Sequence, residues 1–568
     1  MRRGAARWTG VLAALLLAAC SGGRFGGGPP APAPGGPPTA AQATRFLSQA
    51  SFGATDASIS QVRAAGYAEW IDQQLAMPVS ATHLAFVDAR LADRRLTDPN
   101  AALSSTEFFQ SFWAQTATGP DQLRQRMKLA LSEIFVISLA DPSIDVRGAA
   151  SYYDMLGANA FGNFRTLLEQ VSLHPQMGIY LTWLGNQRED AASGRNPDEN
   201  YAREVMQLMT IGVAELNPDG TLDVNSAGQA VATYDEADIR GLARVFTGYS
   251  WYAATPTNNT FAGRGRTSEA QVRAMIPYPA FHSTGAKAFL TANIPASSTS
   301  DPAGDLRIAL DALANHPIVA AFISKQIIQR LVTSNPSPAY VARISAVFAN
   351  NGRGVRGDLA AVVRAILLDT EARNPDPGIN YGKLREPVAR LSGWMRAFGA
   401  TSQSGFWLVG TTSGNSSLNQ SALNAPSVFN FWRPGYSPPN TRVGMAGLVA
   451  PEFQAVDEVS VAGYLNTMQG VIDAGIGATP RGGTGRDVRS AYAAEIALAR
   501  EPDALVDRLN LLLMHGEMSS ALRARVLEAV NGVSIGSTNP ATVSTALANR
   551  VKLAIYMTMA SPEYLVQR

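Results

Sequence analysis

The chain has a single cysteine, Cys20, in 568 residues. An intramolecular disulfide is therefore excluded, and so is a metal site built on several thiolates. Charged residues make up only 16% of the chain, and the net charge of +2 is not gathered into a basic block. Nothing in this charge pattern predicts a surface for nucleic acid, so we expect no nucleic-acid partner.

Several catalytic motifs are also missing. The sequence has no Gly-x-Ser-x-Gly nucleophile elbow, no Ser-x-x-Lys set and no phosphate-binding glycine loop. Its five histidines include no pair at the i,i+4 spacing of a helical zinc site. We therefore expect no cofactor and no metal, and any catalysis would depend on carboxylates and histidines alone.

The N-terminal apolar run is too short to span a bilayer, which takes about 20 residues. It covers Val11 to Ala18, follows the basic residues Arg2, Arg3 and Arg7, and ends in the lipobox-like sequence Leu-Ala-Ala before Cys20. This arrangement is typical of a lipoprotein signal. It predicts a signal peptide over residues 1–19 and lipidation of Cys20.

Residues 20–39 are almost wholly Gly, Pro and Ala after the cysteine. Such a composition cannot bury enough apolar surface to offset the entropy of ordering, so we expect a disordered linker. Ser21 follows the cysteine, as in lipoproteins sent to the outer membrane. The sequence thus predicts a lipid-anchored protein of the cell envelope, with the membrane as one partner through Cys20 and the outer membrane as its site, on the periplasmic or surface face.

Helical spacing of apolar residues dominates residues 40–568, and alternating strand patterns are scarce. We expect a mainly α fold, an irregular multi-helical single body with long ordered loops. Among the expected helices are Ile59–Leu75, Leu123–Ser138, Asn200–Ile211, Ile318–Leu331 and Glu452–Gln469. Loops resembling insertions are expected at about residues 250–303, 401–424 and 475–486.

Two of the irregular segments are rich in aromatic residues. The first loop carries Trp251, Tyr252, Phe261, Tyr278, Phe281 and Phe289. A loop with this many aromatic side chains should be packed down against the body, because exposure would favour aggregation. For the same reason we expect Phe429 and Phe431 to be core residues.

Eleven runs, spread in order along almost the whole mature chain, resemble the bacterial domain-of-unknown-function 1800 family. They are Arg45–Ala54, Tyr67–Ile71, Leu123–Ser138, His174–Gly178, Asn196–Leu208, Phe281–Lys287, Asn315–Pro317, Lys325–Pro338, Gly354–Leu359, Lys383–Pro387 and Ala425–Phe431. The resemblance implies no established activity. It does imply a plausible partner, an exported protein of the domain-of-unknown-function 1501 family. Many members carry His or Phe where this chain has Met209, so a metal ligand is not supported there.

The run Asn196–Ile211 predicts a helix with Asn196 as its N-cap and Glu199 completing a capping box. Its polar residues share one arc of the helix, namely Glu199, Asn200, Arg203, Glu204 and Gln207. One interpretation is a solvated face joined by a Glu199–Arg203 pair, worth a few tenths of a kcal/mol. The other is that these side chains line a cleft.

Three histidines lie beside a proline or a turn, namely His174, His282 and His316. Such an imidazole commonly caps a helix or bonds a backbone carbonyl. If His174 and His282 meet Glu199 or Glu204 in space, a hard-cation or general-base site becomes possible. Residues 215–223 place oxygen donors around Gly220 as in a calcium loop, but the closing Glu is replaced by Ser226, and an ordinary turn is the alternative.

Two functions follow from these patterns. The first is an envelope lipoprotein that binds an envelope polymer or an exported partner protein, with Asn200, Arg203 and Gln207 as binding residues. The second is an extracellular hydrolase or lyase with an acid–base site. Its candidate catalytic residues are Glu199, Glu204, His174 and His282.

Overall fold

The computed structural model describes residues 36–374, 380–536 and 538–568. Helix accounts for 52% and strand for 6%, so the expected mainly α single body is confirmed. The signal peptide, Cys20 and most of the linker predicted from the sequence lie outside the described residues.

The N-terminal half of the body is built from thirteen described helices. They are α1 Ala40–Ala50, α2 Asp56–Ala65, α3 Tyr67–Ala76, α4 His83–Arg95, α5 Ser105–Thr118, α6 Gln122–Ser132, α7 Val146–Ala158, α8 Phe164–Leu173, α9 Pro175–Tyr180, α10 Asn200–Gln207, α11 Glu236–Val245, α12 Asn258–Phe261 and α13 Pro302–Asn315.

Twelve more helices follow in the described C-terminal half. They are α14 Val319–Leu331, α15 Pro338–Ala349, α16 Leu359–Leu368, α17 Thr370–Arg373, α18 Pro387–Ala397, α19 Arg442–Met445, α20 Glu458–Ala474, α21 Ala493–Ala497, α22 Pro502–Met514, α23 Ser520–Gly532, α24 Pro540–Met559 and α25 Pro562–Leu565.

The strands are short and form four antiparallel pairs in the described chain. They are β1 Tyr249–Ser250 with β2 Ile276–Pro277, β3 Lys287–Phe289 with β4 Ala292–Ile294, β5 Lys383–Leu384 with β8 Val566–Gln567, and β6 Thr401–Ser402 with β7 Val488–Arg489. In the third pair Lys383 lies opposite Gln567, which ties the C-terminal residues to the segment before α18.

Several expected helices differ from the observed ones. The run Ile59–Leu75 is two helices, because Gly66 adopts φ +80° between α2 and α3. The helix expected to reach Ser138 ends at Ser132. The one expected from Glu452 begins only at Glu458, where Asp457 and Ser460 form a capping box that starts α20.

Two helices lie at the centre of the core. Every residue of α6 is buried, as are eleven of the thirteen residues of α14, including charged and amide side chains. Ordinary globular helices bury one apolar stripe, so buried charges on both helices need partners within the protein. These partners form the site described below.

The aromatic loop packs against the body as expected. Trp251, Phe261, Tyr278 and Phe289 are buried, and Phe281 stacks on Phe261 with ring centroids 3.7 Å apart. The prediction for the second aromatic segment was wrong. Phe429 and Phe431 are only half-buried, because a turn with Asn430 at φ +65° directs Trp432 inward instead.

Among the described residues, no single helix has the length and apolar character needed to cross a membrane. The consecutive helices α13 and α14 meet these criteria only as a pair, and they are bent by 68° at the break between them.

Candidate functional site

The helix that carries most of the predicted site residues is shorter than expected. It begins at Asn200, whose N–H donates to Asp198 Oδ1 at 2.8 Å, and it ends at Gln207. Asn196 is therefore not its N-cap, and the predicted capping box is absent. The preceding segment is held elsewhere, since the Asp198 N–H donates to Asn186 Oδ1 at 2.9 Å.

Arg203 lies at the surface with 38% of its side chain exposed. Its guanidinium is 3.1 Å from Glu236 Oε1 on α11 and 3.7 Å from Glu199 Oε2. Exposed ion pairs of this kind contribute about 0 to 1 kcal/mol to the free energy of unfolding. This part of the arc matches the solvated-face interpretation.

The remaining residues of the arc bond to their neighbours or are enclosed. The Asn200 amide donates to Thr182 Oγ1 at 3.3 Å, and Gln207 Oε1 accepts from the Tyr234 hydroxyl at 3.3 Å. Glu204 is buried, which raises its pKa, and its Oε2 has no hydrogen-bond partner in the described chain.

His174 acts as the N-cap of α9, where its Nδ1 accepts from the Gln176 N–H at 3.3 Å. Its ring packs edge-on against Tyr152 at 5.1 Å. Burial lowers the pKa of His174 to about 3, because a charged ring would lose its hydration. This residue is therefore neutral at physiological pH and serves the local structure.

His282 is fully enclosed and anchors the aromatic loop. Its Nδ1 is 2.7 Å from the Thr247 carbonyl oxygen, and its Nε2 is 2.9 Å from Asp305 Oδ2. The same carboxylate oxygen forms an ion pair with Lys287 Nζ at 2.8 Å. Both ring nitrogens thus have an oxygen within hydrogen-bond distance, which fixes the orientation of the ring. His316 is only partly buried; burial lowers its pKa, and its carbonyl accepts from Arg356.

No hydrogen bond or ion pair joins any two of Glu199, Glu204, His174 and His282 in the described parts of the chain. These parts also contain no group of three His, Cys, Asp or Glu side chains placed to hold a metal ion. The acid–base constellation considered from the sequence is thus not assembled by direct contacts.

A different set of residues comes together between α6 and α14. We call it the charged cluster, and it consists of Arg126, Glu133, Arg330, Lys383, Glu386 and Glu452, all at least nine-tenths buried. Gln420 lies within it. Sequence reasoning missed these residues as a site.

The ion pairs of the charged cluster join distant segments. Arg126 Nη2 is 3.2 Å from Glu386 Oε1, and Lys383 Nζ is 3.3 Å from the same atom and 3.0 Å from Glu452 Oε1. Arg330 Nε is 3.5 Å from Glu133 Oε2. Each buried charge thus has an opposite charge nearby, as burial in a low-dielectric interior requires.

Glu133 and Glu386 form a carboxyl pair bridged by one amide. Gln420 Nε2 is 3.3 Å from Glu133 Oε1 and 3.2 Å from Glu386 Oε2. Burial and the adjacent Glu386 raise the pKa of Glu133 well above its usual value. Burial opposes ionisation of Glu386 too, but Lys383 and Arg126 prevail and lower its pKa. The pKa values of the two carboxyls of this pair are therefore shifted in opposite directions.

Several enclosed polar atoms of this cluster and of nearby residues have no hydrogen-bond partner in the described chain. They are Arg126 Nη1, Gln326 Nε2, Gln329 Oε1, Ser334 Oγ and Glu452 Oε2. Unpaired buried polar groups cost about 1 to 3 kcal/mol each, so such positions commonly hold ordered water.

A pocket of about 750 Å³, which we call the amide pocket, is lined by three of these residues, Gln326, Gln329 and Ser334. Gln326 and Gln329 belong to α14, and the Gln326 side chain is also 3.4 Å from Arg330 Nη1 of the charged cluster. Other lining residues are Asn335 and Asn380, the hydroxyl-bearing Ser337 and Tyr381, and the apolar Leu216, Phe322, Leu448 and Val449.

The two charged residues among those lining the pocket already have partners. Lys325 Nζ donates to the Gly220 carbonyl at 3.0 Å, and the Glu371 carboxylate accepts from the Ser337 N–H at 2.9 Å. What remains for a ligand is a set of lining atoms without a hydrogen-bond partner in the described chain, Gln326 Nε2, Gln329 Oε1 and Ser334 Oγ, together with apolar surface. Such a lining suits an uncharged polar ligand with apolar faces.

One wall of the pocket belongs to the segment over residues 434–449, which includes α19 and which we call the strap. Gln329 Nε2 donates to the Pro434 carbonyl at 3.2 Å, while Asn335 exchanges two hydrogen bonds with the backbone of Val449, at 2.8 and 2.9 Å. Amide side chains from one wall therefore hold the other wall in place.

One signal in the sequence does lead to this site. Three of the runs that carry the family resemblance, Leu123–Ser138, Lys325–Pro338 and Lys383–Pro387, supply five of the six members of the charged cluster. Charged residues inside otherwise apolar helical runs were the visible feature. Their convergence depends on contacts over as many as 260 residues, which spacing does not reveal.

Comparison with known proteins gives one family match. The family described as "Protein of unknown function (DUF1800)" matches residues 45–566. No curated protein and no solved structure matches the chain.

Proposed function

Since the chain belongs to the DUF1800 family, whose description records no activity, we propose a function from the site itself: the amide pocket binds a segment of an envelope polymer or of an exported partner protein. The observation that carries this proposal is the lining of the pocket, in which the charged side chains are already bonded while polar atoms of Gln326, Gln329 and Ser334 remain without a partner beside apolar groups.

We further propose that the protein acts as a lipoprotein of the cell envelope, held to the outer membrane through Cys20. The lipobox-like sequence before this cysteine supports that location. An exported protein of the domain-of-unknown-function 1501 family is the proposed protein partner. Under this proposal the anchor keeps the pocket near envelope material and the Gly/Pro linker allows the body to reach it.

The test is to fill the pocket without disturbing the fold. A Cβ added at Gly435, which lines the pocket, meets no atom within 4 Å, so Gly435→Trp should place an indole in the pocket mouth. Gly414 is equally unobstructed but lies outside the pocket, and Gly414→Trp is the matched control. The measurement is sedimentation of each purified protein with cell-wall sacculi, outer-membrane polysaccharide and the exported partner.

We expect Gly435→Trp to lower binding of one of these at least tenfold, while Gly414→Trp binds as the wild type does. Equal binding by both variants would refute the proposal. Thermal unfolding of both proteins guards against a folding defect.

A second candidate is an extracellular hydrolase or lyase, and one observation favours it. The pKa values of the Glu133 and Glu386 carboxyls are shifted in opposite directions, as in a catalytic pair of one acid and one base. Substrate would have to pass Gln326 and Gln329, which separate the pocket from the pair. If this function holds, Glu133→Gln abolishes release of soluble products from envelope polymers; no product from the wild-type protein would exclude it.

A further inference from the structure

An acidic hairpin borders the amide pocket. We use this name for residues 213–233, which form three short segments joined in a ring. The Glu215 N–H donates to the Val231 carbonyl, the Val231 N–H to the Asp223 carbonyl, and the Asp223 N–H to the Glu215 carbonyl, at 2.8, 3.2 and 2.9 Å. Each backbone segment bonds to both others, so the hairpin is an ordered projection and not a loose loop.

The turn inside this hairpin is not a metal loop. The Gly220 N–H donates to the Asn217 carbonyl at 2.9 Å, and Asp219 Oδ1 accepts from the Thr221 N–H at 3.0 Å. Its polar groups are used within the turn, which matches the turn alternative from the sequence.

The hairpin is fixed to the wall of the pocket. Leu216 lines the pocket directly, and the Lys325 ammonium, another lining group, bonds to the Gly220 carbonyl. A ligand that leaves the pocket on this side therefore passes over the hairpin.

The surface of the hairpin is unusually apolar for a solvent-facing projection. Val213, Leu222 and Val224 are exposed by 60, 55 and 50%. The strap carries Met445, which is also largely exposed. Exposed apolar groups of this kind around a pocket mark a docking surface for a partner larger than the pocket.

Charge defines the kind of partner. The hairpin carries Glu215, Asp219 and Asp223, and no Lys, Arg or His occurs anywhere between residues 204 and 239. Glu215 and Asp223 have no ion-pair partner within 4 Å in the described chain. A partner with complementary charge must be basic.

We propose that the acidic hairpin and the amide pocket together dock an extended segment of an exported protein in which basic side chains alternate with apolar ones. This inference rests on the proposed function and chooses between its two ligand classes. A neutral glycan carries no positive charge to pair with these three carboxylates, while an anionic polymer or an anionic lipid surface is repelled by them.

The test places a photo-crosslinker on the hairpin in the full-length protein in its native cells. Leu222→p-benzoylphenylalanine puts the reactive group on the proposed surface, and Leu96→p-benzoylphenylalanine is the control at another highly exposed leucine. The adducts are analysed by mass spectrometry, which reads the crosslinked segment. The crosslinking is repeated with Glu215→Lys and Asp223→Lys together, and with a control pair, Glu69→Lys on α3 and Glu528→Lys on α23.

We expect one protein adduct from position 222 whose crosslinked segment has a net positive charge, and no such adduct from position 96. The hairpin charge reversal should lower its yield at least tenfold, and the control reversal should not. No adduct, a glycan or lipid adduct, an acidic or neutral segment, or a yield unaffected by the hairpin reversal would each overturn the inference. The Gly435→Trp test is independent: loss of polymer binding there without a protein adduct here would keep the proposed function and reject this partner.

Discussion

Arg126 and Glu386 lie 260 residues apart in the sequence, yet their side chains form an ion pair of 3.2 Å and are almost fully enclosed. The pair joins α6 to the start of α18. The same carboxylate accepts Lys383 at 3.3 Å and the Gln420 amide at 3.2 Å. One glutamate thus satisfies cations from two separate parts of the chain and holds these parts against each other.

Replacing that carboxylate should be costly. In Glu386→Gln the cations Arg126 and Lys383 stay buried while their shared counter-charge is lost. We expect the free energy of unfolding to fall by about 3 to 5 kcal/mol, as is typical when one partner of a buried pair is removed. Urea unfolding is the measurement. The control is Glu199→Gln, which removes one partner of an exposed pair and should change the free energy of unfolding by less than about 1 kcal/mol. Similar losses of free energy of unfolding in the two variants would contradict a structural role for the charged cluster.

Lys128 should make stability depend on pH in alkaline solution. Burial lowers the pKa of Lys128 to about 8, from 10.5 in an exposed lysine. Between these pH values the unfolded chain binds the proton and the folded protein does not. Stability contributed by this group therefore rises from about pH 8 to about pH 10.5, by about 3 kcal/mol.

The check on Lys128 is denaturant unfolding at pH values from 7 to 10.5. Lys128→Met should remove the rise, whereas Lys552→Met, at a partly exposed lysine paired with Asp473, should keep it. An unchanged slope in Lys128→Met would show that this ammonium does not titrate in the range.

The Asp305 carboxylate should control the order of the aromatic loop. In Asp305→Asn, both His282 and Lys287 lose their charged partner. We expect faster hydrogen exchange at the backbone amides of residues 276–294, because the loop is anchored there, with little change in α20 to α24. The matched control is Asp311→Asn, which weakens an exposed pair with Arg165. A uniform increase throughout the protein would instead indicate global destabilisation.

The lipid anchor is tested at Cys20, the only cysteine of the chain. A clickable palmitate analogue should label the wild-type protein, and Cys20→Ser should be unlabelled and should leave the membrane fraction. Cys20→Ser replaces only the sulfur atom with oxygen, so we expect the variant to be exported without being acylated. Labelling of both proteins to the same extent would disprove the anchor.

Local sequence signals were reliable where a helix is decided by its own residues. The helix expected from Ile318 to Leu331 is observed as α14, Val319–Leu331, because its apolar spacing and the His-Pro pair before it act locally. The interruption at Gly66 and the late start of α10 were missed. A glycine can lie within a helix, so the sequence does not show that Gly66 adopts the positive φ that ends one helix before the next. Asn196 does not cap α10, because the segment that follows it bonds to Asn186 instead.

The amino-acid sequence by itself determined the helical class, the single cysteine with its lipobox-like context, and the family to which residues 45–566 belong. These depend on composition, periodicity and ordered motifs, all of which are local or additive. Only the tertiary structure decided which polar residues meet. It left Arg203 at the surface, enclosed His174 and His282 in structural roles, and brought Arg126 to Glu386 next to the amide pocket. The physical reason is that a buried charge is tolerated only beside its partner, and the folded path of the chain, not its spacing, sets that partner.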